Sequence, residues 1–307
     1  MNHNDLIHEF GRKSVVEHLH IIETFCEKNE LSGNDGLYGQ FQFVKALIRS
    51  GSIEHHPGIG RDLFEISYTI WALEKLGYLH IIDGVARRFK KGGEYGDTSA
   101  YLSTEEGNYF KNFLLQAQVG LRLVESGIDV TCGDDQNGDP DYFTEEDIRL
   151  EIKAPASKLA LFQALVKGVQ QIEDKGSPGI IVLCLDHMVT RKMIPATVSP
   201  LPEEIISIIL SGLPTNTNSN TIGVIAEWGS WDGNAAFTVV QPIMNNAKGQ
   251  TENNKLKVHK IWSALCSESV YHDGIVVGDT LHPFPYGKDY KSGVKPETFF
   301  SATWPSL

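Results

Sequence analysis

The side chains best suited to chemistry in this chain are Asp141, Glu151 and Lys153, which lie within thirteen residues of one another. Gly138-Asp139-Pro140-Asp141-Tyr142-Phe143 and Ile148-Arg149-Leu150-Glu151-Ile152-Lys153-Ala154-Pro155 flank the acidic cluster Glu145-Glu146-Asp147. Two short apolar runs around such a cluster read as a β-hairpin with a solvated turn. Strand alternation sends Glu151 and Lys153 to one side and turns Leu150, Ile152 and Ala154 toward a core. Pairing across the hairpin brings Asp141 beside Glu151. Two carboxylates and an ammonium at one end of a hairpin suit a hard divalent cation, which takes oxygen ligands. They also leave a lysine to act on water or on a charged oxygen. The plain alternative is a surface charge pair. A second E-x-K triplet, Glu173-Asp174-Lys175, ends an amphipathic pattern ahead of Gly176-Ser177-Pro178-Gly179 and is expected to be a solvated helix terminus.

The elements that must position these residues follow from periodicity. A helix is expected over 104–126, opened by a Ser103/Glu106 capping box and closed by Gly127, with Phe110, Phe113, Leu114, Ala117, Leu121 and Val124 as its apolar stripe. Glu105 and Glu106 therefore read as helix-start residues. A strand over 128–132 leads toward the hairpin. Ser157 caps a helix running to about Asp174, with Leu159, Phe162, Leu165, Val166, Val169 and Ile172 inward. Gln163, Lys167 and Gln170 recur at i, i+4 and i+7 on the opposite side. Residues 179–185, Gly-Ile-Ile-Val-Leu-Cys-Leu, read as a central strand buried on both faces. Residues 190–221 look like an insertion with a helix near 203–210. A strand pair follows at 222–228 and 235–241, then a helix near 255–267 and a tail, 271–307, that reads as structural cover.

Ahead of this core, helices are expected at 4–29, 37–48 and 61–76. The last ends at Gly77. Residues 78–89 suggest a small hairpin turned at Asp83-Gly84. The adjacent His55-His56 lack a third ligand at a telling spacing and read as a solvated loop.

Composition narrows the class. At 307 residues the chain has room for two domains, and its 41% hydrophobic content is ordinary for a soluble globular protein. There is no run of apolar residues long enough to span a bilayer and no signal-peptide character at the N-terminus, so no membrane association is expected. Cys26, Cys132, Cys184 and Cys266 are widely spaced, which argues against a disulfide framework or zinc site and fits a cytoplasmic protein. The net charge of −12 does not advertise nucleic-acid binding, although a DNA-facing surface can be locally basic.

Helix, strand, hairpin, helix, strand, with Pro140-Asp141 followed by Glu151-Ile152-Lys153, resembles the core of the PD-(D/E)xK nuclease superfamily, over about residues 104–240. The resemblance implies an α/β fold with a restriction-endonuclease-like core, a mixed central sheet flanked by helices. It implies Asp141, Glu151 and the backbone carbonyl of Ile152 as ligands of Mg²⁺, with Mn²⁺ as a substitute, and Lys153 acting on the attacking water and the phosphate. It implies a glutamine from the following helix near the site, with Gln170 the best match and Gln163 and Gln171 behind it. Many members carry a glutamate on the first helix where this chain has Gln116, which is left as a supporting residue.

Residues 37–107 resemble a winged helix-turn-helix, with a candidate recognition helix and a basic wing. That resemblance implies Arg61, Arg87, Arg88, Lys90 and Lys91 as DNA contacts, joined by Gln163 and Lys167 from the core. The expected organisation is a mostly helical recognition domain over 1–103, a nuclease core over 104–241 with the 190–221 insertion, and a C-terminal helix and tail over 242–307. The expected function is Mg²⁺-dependent cleavage of double-stranded DNA by a type II-like restriction endonuclease, acting as a homodimer with one site per strand. A structure-directed or repair nuclease of the same fold, and an inactive nuclease-fold module that binds protein, are the alternatives. A hydrolase of small phosphoesters ranks last, for want of a histidine-rich constellation or phosphate loop.

Overall fold

Helices on a six-stranded mixed sheet form the part of the molecule that carries the candidate site. The computed structural model describes residues 15–32, 36–50, 57–83, 108–133, 141–145, 147–190, 192–194, 200–215, 218–231, 236–245 and 251–266, with residues 6, 9, 10 and 13. The chain divides into two compact units: residues 1–121 with 231–237 and 268–307, and residues 122–230 with 238–267.

In the first unit, α1 (Val15–Lys28), α2 (Gly36–Arg49) and α3 (Pro57–Leu76) pack on one another, with α1 most extensively against α3. Leu19, Ile22, Phe25, Phe41, Val44, Ile66, Ile70 and Leu73 are buried. His18 sits among them, with Ser67 Oγ 3.3 Å from its Nδ1 and the Phe10 ring 4.7 Å away between centroids. Burial holds its imidazole down at a pKa of about 4; Lys13 adds to the effect and Glu17 opposes it. As expected, Gly77 ends α3: at φ +83° it takes the left-handed conformation, and the amide of Tyr78 returns to the carbonyl of Leu73 at 2.7 Å.

The expected hairpin over 78–89 is overturned in its first arm, because residues 79–83 are helical. Ile81 and Ile82 are both fully buried. A strand would turn adjacent residues to opposite faces, whereas a helical turn can set both against one core. The second arm, with Arg87, Arg88, Lys90 and Lys91, lies outside the described residues, as do His55-His56 and Ser103 to Glu106. Helix α4 (Asn108–Glu125) matches the expected helix and ends at Gly127, which is also left-handed at φ +79°.

The sheet runs in sequence order, from β1 (Val130–Cys132) through β2 (Tyr142–Thr144), β3 (Arg149–Lys153), β4 (Gly179–Cys184) and β5 (Thr221–Trp231) to β6 (Ala236–Met244). The first three strands are antiparallel, while β3, β4 and β5 are parallel. The β2–β3 turn closes through Thr144, whose amide donates to the Ile148 carbonyl and whose carbonyl accepts from Asp147, both at 3.0 Å. Asp147 adopts φ +55°, a conformation that Asp tolerates better than most side chains.

Between β3 and β4 runs α5 (Lys158–Glu173), and Ser157 caps it as its type and position predict, accepting from the amide of Ala160 at 3.1 Å. Leu161, Leu165, Gly168 and Ile172 are its buried face. Leu159, Phe162 and Val166, expected inward, are exposed. Their i, i+3, i+7 spacing is itself a helical stripe, so periodicity alone could not decide which stripe meets the sheet.

Strand β4 is buried at every position, as expected of a central strand. Beyond it come α6 (Asp186–Thr190) and α7 (Glu203–Gly212). The 190–221 stretch is more than an insertion, because α7 packs on α5 and buries Ile205 and Ile209 in the same core as Leu161 and Leu165. Helix α8 (Glu252–Cys266) packs on the sheet too: Val258, Ile261 and Leu265 are buried, and Val258 lies against the space above Gly223. Residues 267–307 lie outside the described residues. Among the described residues no helix is long and apolar enough to cross a membrane.

Candidate functional site

The hairpin and the first parallel pair bring the candidate side chains together. The β2–β3 register sets Tyr142 opposite Leu150. Continued by one residue, it sets Asp141 opposite Glu151. The Asp141 carboxylate is anchored there, its Oδ2 accepting from the amide of Ile152 at 2.7 Å. Asp141 and Glu151 are both buried, Glu151 at 2% exposure. Among the described residues no group of three or more His, Cys, Asp and Glu side chains is placed to hold a metal ion. Among the described residues the acidic donors at this site are these two carboxylates.

Strand alternation put Glu151 and Lys153 on one side, and they meet: the Lys153 ammonium donates to Glu151 Oε1. It also donates to Gln171 Oε1 at 3.1 Å. That side is covered by α5 rather than open to water. Glu151 and Lys153 align with Ile181 and Leu183 on β4 and with Val224 and Ala226 on β5, all four part of the core under α5. Helix α5 comes close because residue 168 is glycine. A Cβ there would stand 3.1 Å from Ile181 Cδ1 and 3.5 Å from Glu151 Cγ. Gly168 therefore lets α5 pack closely on Ile181 of β4, with the Glu151 side chain in ordinary contact beside it, a role that the sequence pattern alone does not announce.

The other expected site residues are placed differently. Gln170, the favoured glutamine, donates to Asp174 Oδ1 at 2.7 Å on the exposed side of α5. The glutamine at the lysine is Gln171. The spacing accounts for this, since Gln163, Lys167 and Gln170 recur on the outward side of the helix. Gln163 and Lys167 are exposed, as that spacing requires. Ile152 joins the site through its amide. Gln116 is buried on α4, in the other unit. Arg61 belongs to α3, but its side chain is outside what is described.

Two charged features were not foreseen. Arg122 Nη2 donates to Glu227 Oε2 at 2.6 Å, with both side chains 4% exposed. Glu227 follows Ala226 in β5, so it lies on the sheet face opposite Glu151 and Lys153. Burial pushes its carboxyl pKa up, and the guanidinium only partly offsets this. Burial and the nearby Asp186 and Glu227 raise the Cys184 thiol well above the usual range. That makes it a poor nucleophile.

The second feature is Glu173, which is not a solvated terminus. It accepts from Ser219 Oγ at 2.6 Å, from the amides of Asn220 and Thr221, from Asn220 Nδ2 and from Thr221 Oγ1. Burial works to raise its pKa, but these bonds outweigh it and hold the carboxyl low. Glu173 fastens the end of α5, two residues past Gln171, to the start of β5.

Chemically, the site offers a carboxylate, an ammonium and a neutral amide acceptor joined by hydrogen bonds, with the Asp141 carboxylate anchored on the adjacent backbone. Comparison of the chain with protein-family models, with curated proteins and with solved structures finds no match.

Proposed function

We propose that the chain is a divalent-metal-dependent nuclease that hydrolyses phosphodiester bonds in double-stranded DNA, with a restriction-endonuclease-like core of the PD-(D/E)xK kind. The observation that carries this reading is the meeting of Glu151, Lys153 and Gln171 beside an Asp141 fixed on the Ile152 amide. The order α4, β1, β2, β3, α5, β4, with an antiparallel hairpin feeding a parallel pair, supports it.

The donor set fits Mg²⁺, which is commonly held by one or two carboxylates with water and substrate phosphate completing its shell. Asp141 and Glu151 would hold the ion, joined by the Ile152 carbonyl. A bound Mg²⁺ supplies Lewis acidity toward a phosphoryl oxygen and a more acidic water. The protein's own part is to fix the carboxylates on a rigid hairpin and to keep an ammonium within reach of a phosphate oxygen. DNA contact by the N-terminal unit, with Arg61 and the basic 87–91 segment, and a homodimer with one site per strand belong to the same proposal.

A second reading, a nuclease-fold module without catalysis, is favoured by one observation: the Glu151 carboxylate is already neutralised by Lys153 inside the protein. Plasmid cleavage with Mg²⁺ separates the two, comparing wild type with Asp141→Ala and Lys153→Ala. Discrete bands lost in both variants support a sequence-reading endonuclease, and a smear supports a less selective nuclease. No metal-dependent cutting of any DNA removes the catalytic reading.

A further inference from the structure

Lys153 engages the Glu151 carboxylate from within the protein. Its ammonium is on Glu151 Oε1, the carboxylate is 2% exposed, and the lysine side chain is 16% exposed. A buried carboxylate needs a compensating charge, and here the chain supplies one. The second bond, to Gln171 Oε1, is to a neutral acceptor carried by a different element. We propose that Lys153 is a resident counter-ion that holds the cation position while no metal is bound, and that Gln171 is the anchor retaining it when a metal displaces it from Glu151. This rests on Asp141 and Glu151 being the cation ligands of the proposed nuclease.

An ammonium has three donors and no acceptor, so it cannot ligate a metal and can only compete with one for Glu151. A divalent ion and an ammonium on the same carboxylate repel at contact distance. Metal binding at Glu151 Oε1 in the free protein therefore displaces Lys153 from that oxygen. A phosphate oxygen from nucleic acid offers the released ammonium a new anionic partner. Metal and phosphate binding are thereby coupled, each favouring the other through the position of one lysine. The free protein holds metal weakly, and the site is completed when nucleic acid arrives.

The test is Mn²⁺ binding to the full chain without nucleic acid, followed by electron paramagnetic resonance, for wild type, Lys153→Met and Lys153→Arg. Removing the ammonium is expected to tighten Mn²⁺ binding by about tenfold or more, while the charge-conserving arginine stays within about twofold of wild type. Unchanged or weaker binding in Lys153→Met overturns the proposal.

Should Lys153→Met not fold, the wild type answers alone. Acetylation of Lys153 by acetic anhydride, read by mass spectrometry, is expected to speed up as Mn²⁺ saturates the protein, and a flat rate overturns the proposal. Plasmid cleavage by the wild type, run in parallel, keeps the two ideas separate. Tighter Mn²⁺ binding without DNA cleavage upholds the counter-ion and defeats the nuclease. Cleavage with a flat acetylation rate does the reverse.

Discussion

Replacing Lys153 by methionine keeps most of the side-chain volume and removes its charge, leaving the buried Glu151 carboxylate without the ammonium that now balances it. Losing one member of a buried pair costs about 3–5 kcal/mol, and the partial exposure of Lys153 brings the expectation down to about 2–3 kcal/mol. Glu151→Met strands a less buried ammonium that can turn toward water, so its cost should be smaller, about 1–2 kcal/mol. The double variant removes both charges from a site walled by Ile181 and Gly168. It should lie well below the sum of the singles, with a coupling of about 1.5 kcal/mol or more.

The assay is urea unfolding in EDTA at neutral pH, followed by circular dichroism. The affected transition is fitted by itself, since a chain of two units need not unfold in one step. Additivity of the two single costs within about 0.5 kcal/mol would refute the description of the site as a buried, mutually compensating pair. A double variant near wild-type stability but without DNA cleavage would show charges kept for chemistry rather than for folding.

Three further perturbations test other parts of the structure. His18 has its pKa lowered from 6.5 to about 4, so the folded state resists a proton that the unfolded state accepts. Its contribution is complete above pH 6.5 and is lost as pH falls toward 4, for a total of about 3 kcal/mol. A histidine NMR titration showing an ordinary pKa, or a His18→Gln variant with unchanged acid sensitivity, would refute this. Glu173→Gln should cost about 2 kcal/mol, because an amide cannot accept from all five donors at once. Because the Glu173 carboxyl is held low, its contribution is complete above the ordinary carboxylate range and fades as pH falls through its folded value, so the wild-type advantage over Glu173→Gln should shrink in acid. Arg122→Met should cost about 3 kcal/mol or more in thermal or urea unfolding, since Glu227 would be left buried without its guanidinium. A loss below about 1 kcal/mol would mean that this pair is looser than its geometry indicates.

How much of the site could be read from the chain depended on how far each contact reaches in sequence. Glu151 and Lys153 are two residues apart on one strand, and a period of two suffices to put them together. Asp141 is ten residues from Glu151, and hairpin pairing brings it back. Ser157, Gly77 and Gly127 act on their own helix ends, so their types announced their roles. Gln171 was legible in principle. Leu161, Leu165 and Ile172 fix the buried face of α5, and 168 and 171 follow on it, whereas Gln170 falls on the exposed side.

What could not be read depends on tertiary pairing. Glu227 meets Arg122 across 105 residues, and Glu173 meets Ser219 across 46. No local pattern marks an acid as destined for a partner that distant. In each case a carboxylate that composition would assign to the surface is drawn inward by donors from another element. The same cause hid the exposure of Leu159, Phe162 and Val166, because which of two apolar stripes faces the sheet is decided by β3 and β4 rather than by the helix. Gly168 joins the two kinds of information. The sequence shows a helix-weakening residue in mid-helix, and only the packed structure shows that its missing Cβ makes room for Ile181, with Glu151 in ordinary contact beside it. A residue that costs helix stability is explained here by the close packing of α5 on Ile181, and the same close approach covers the Glu151 side chain.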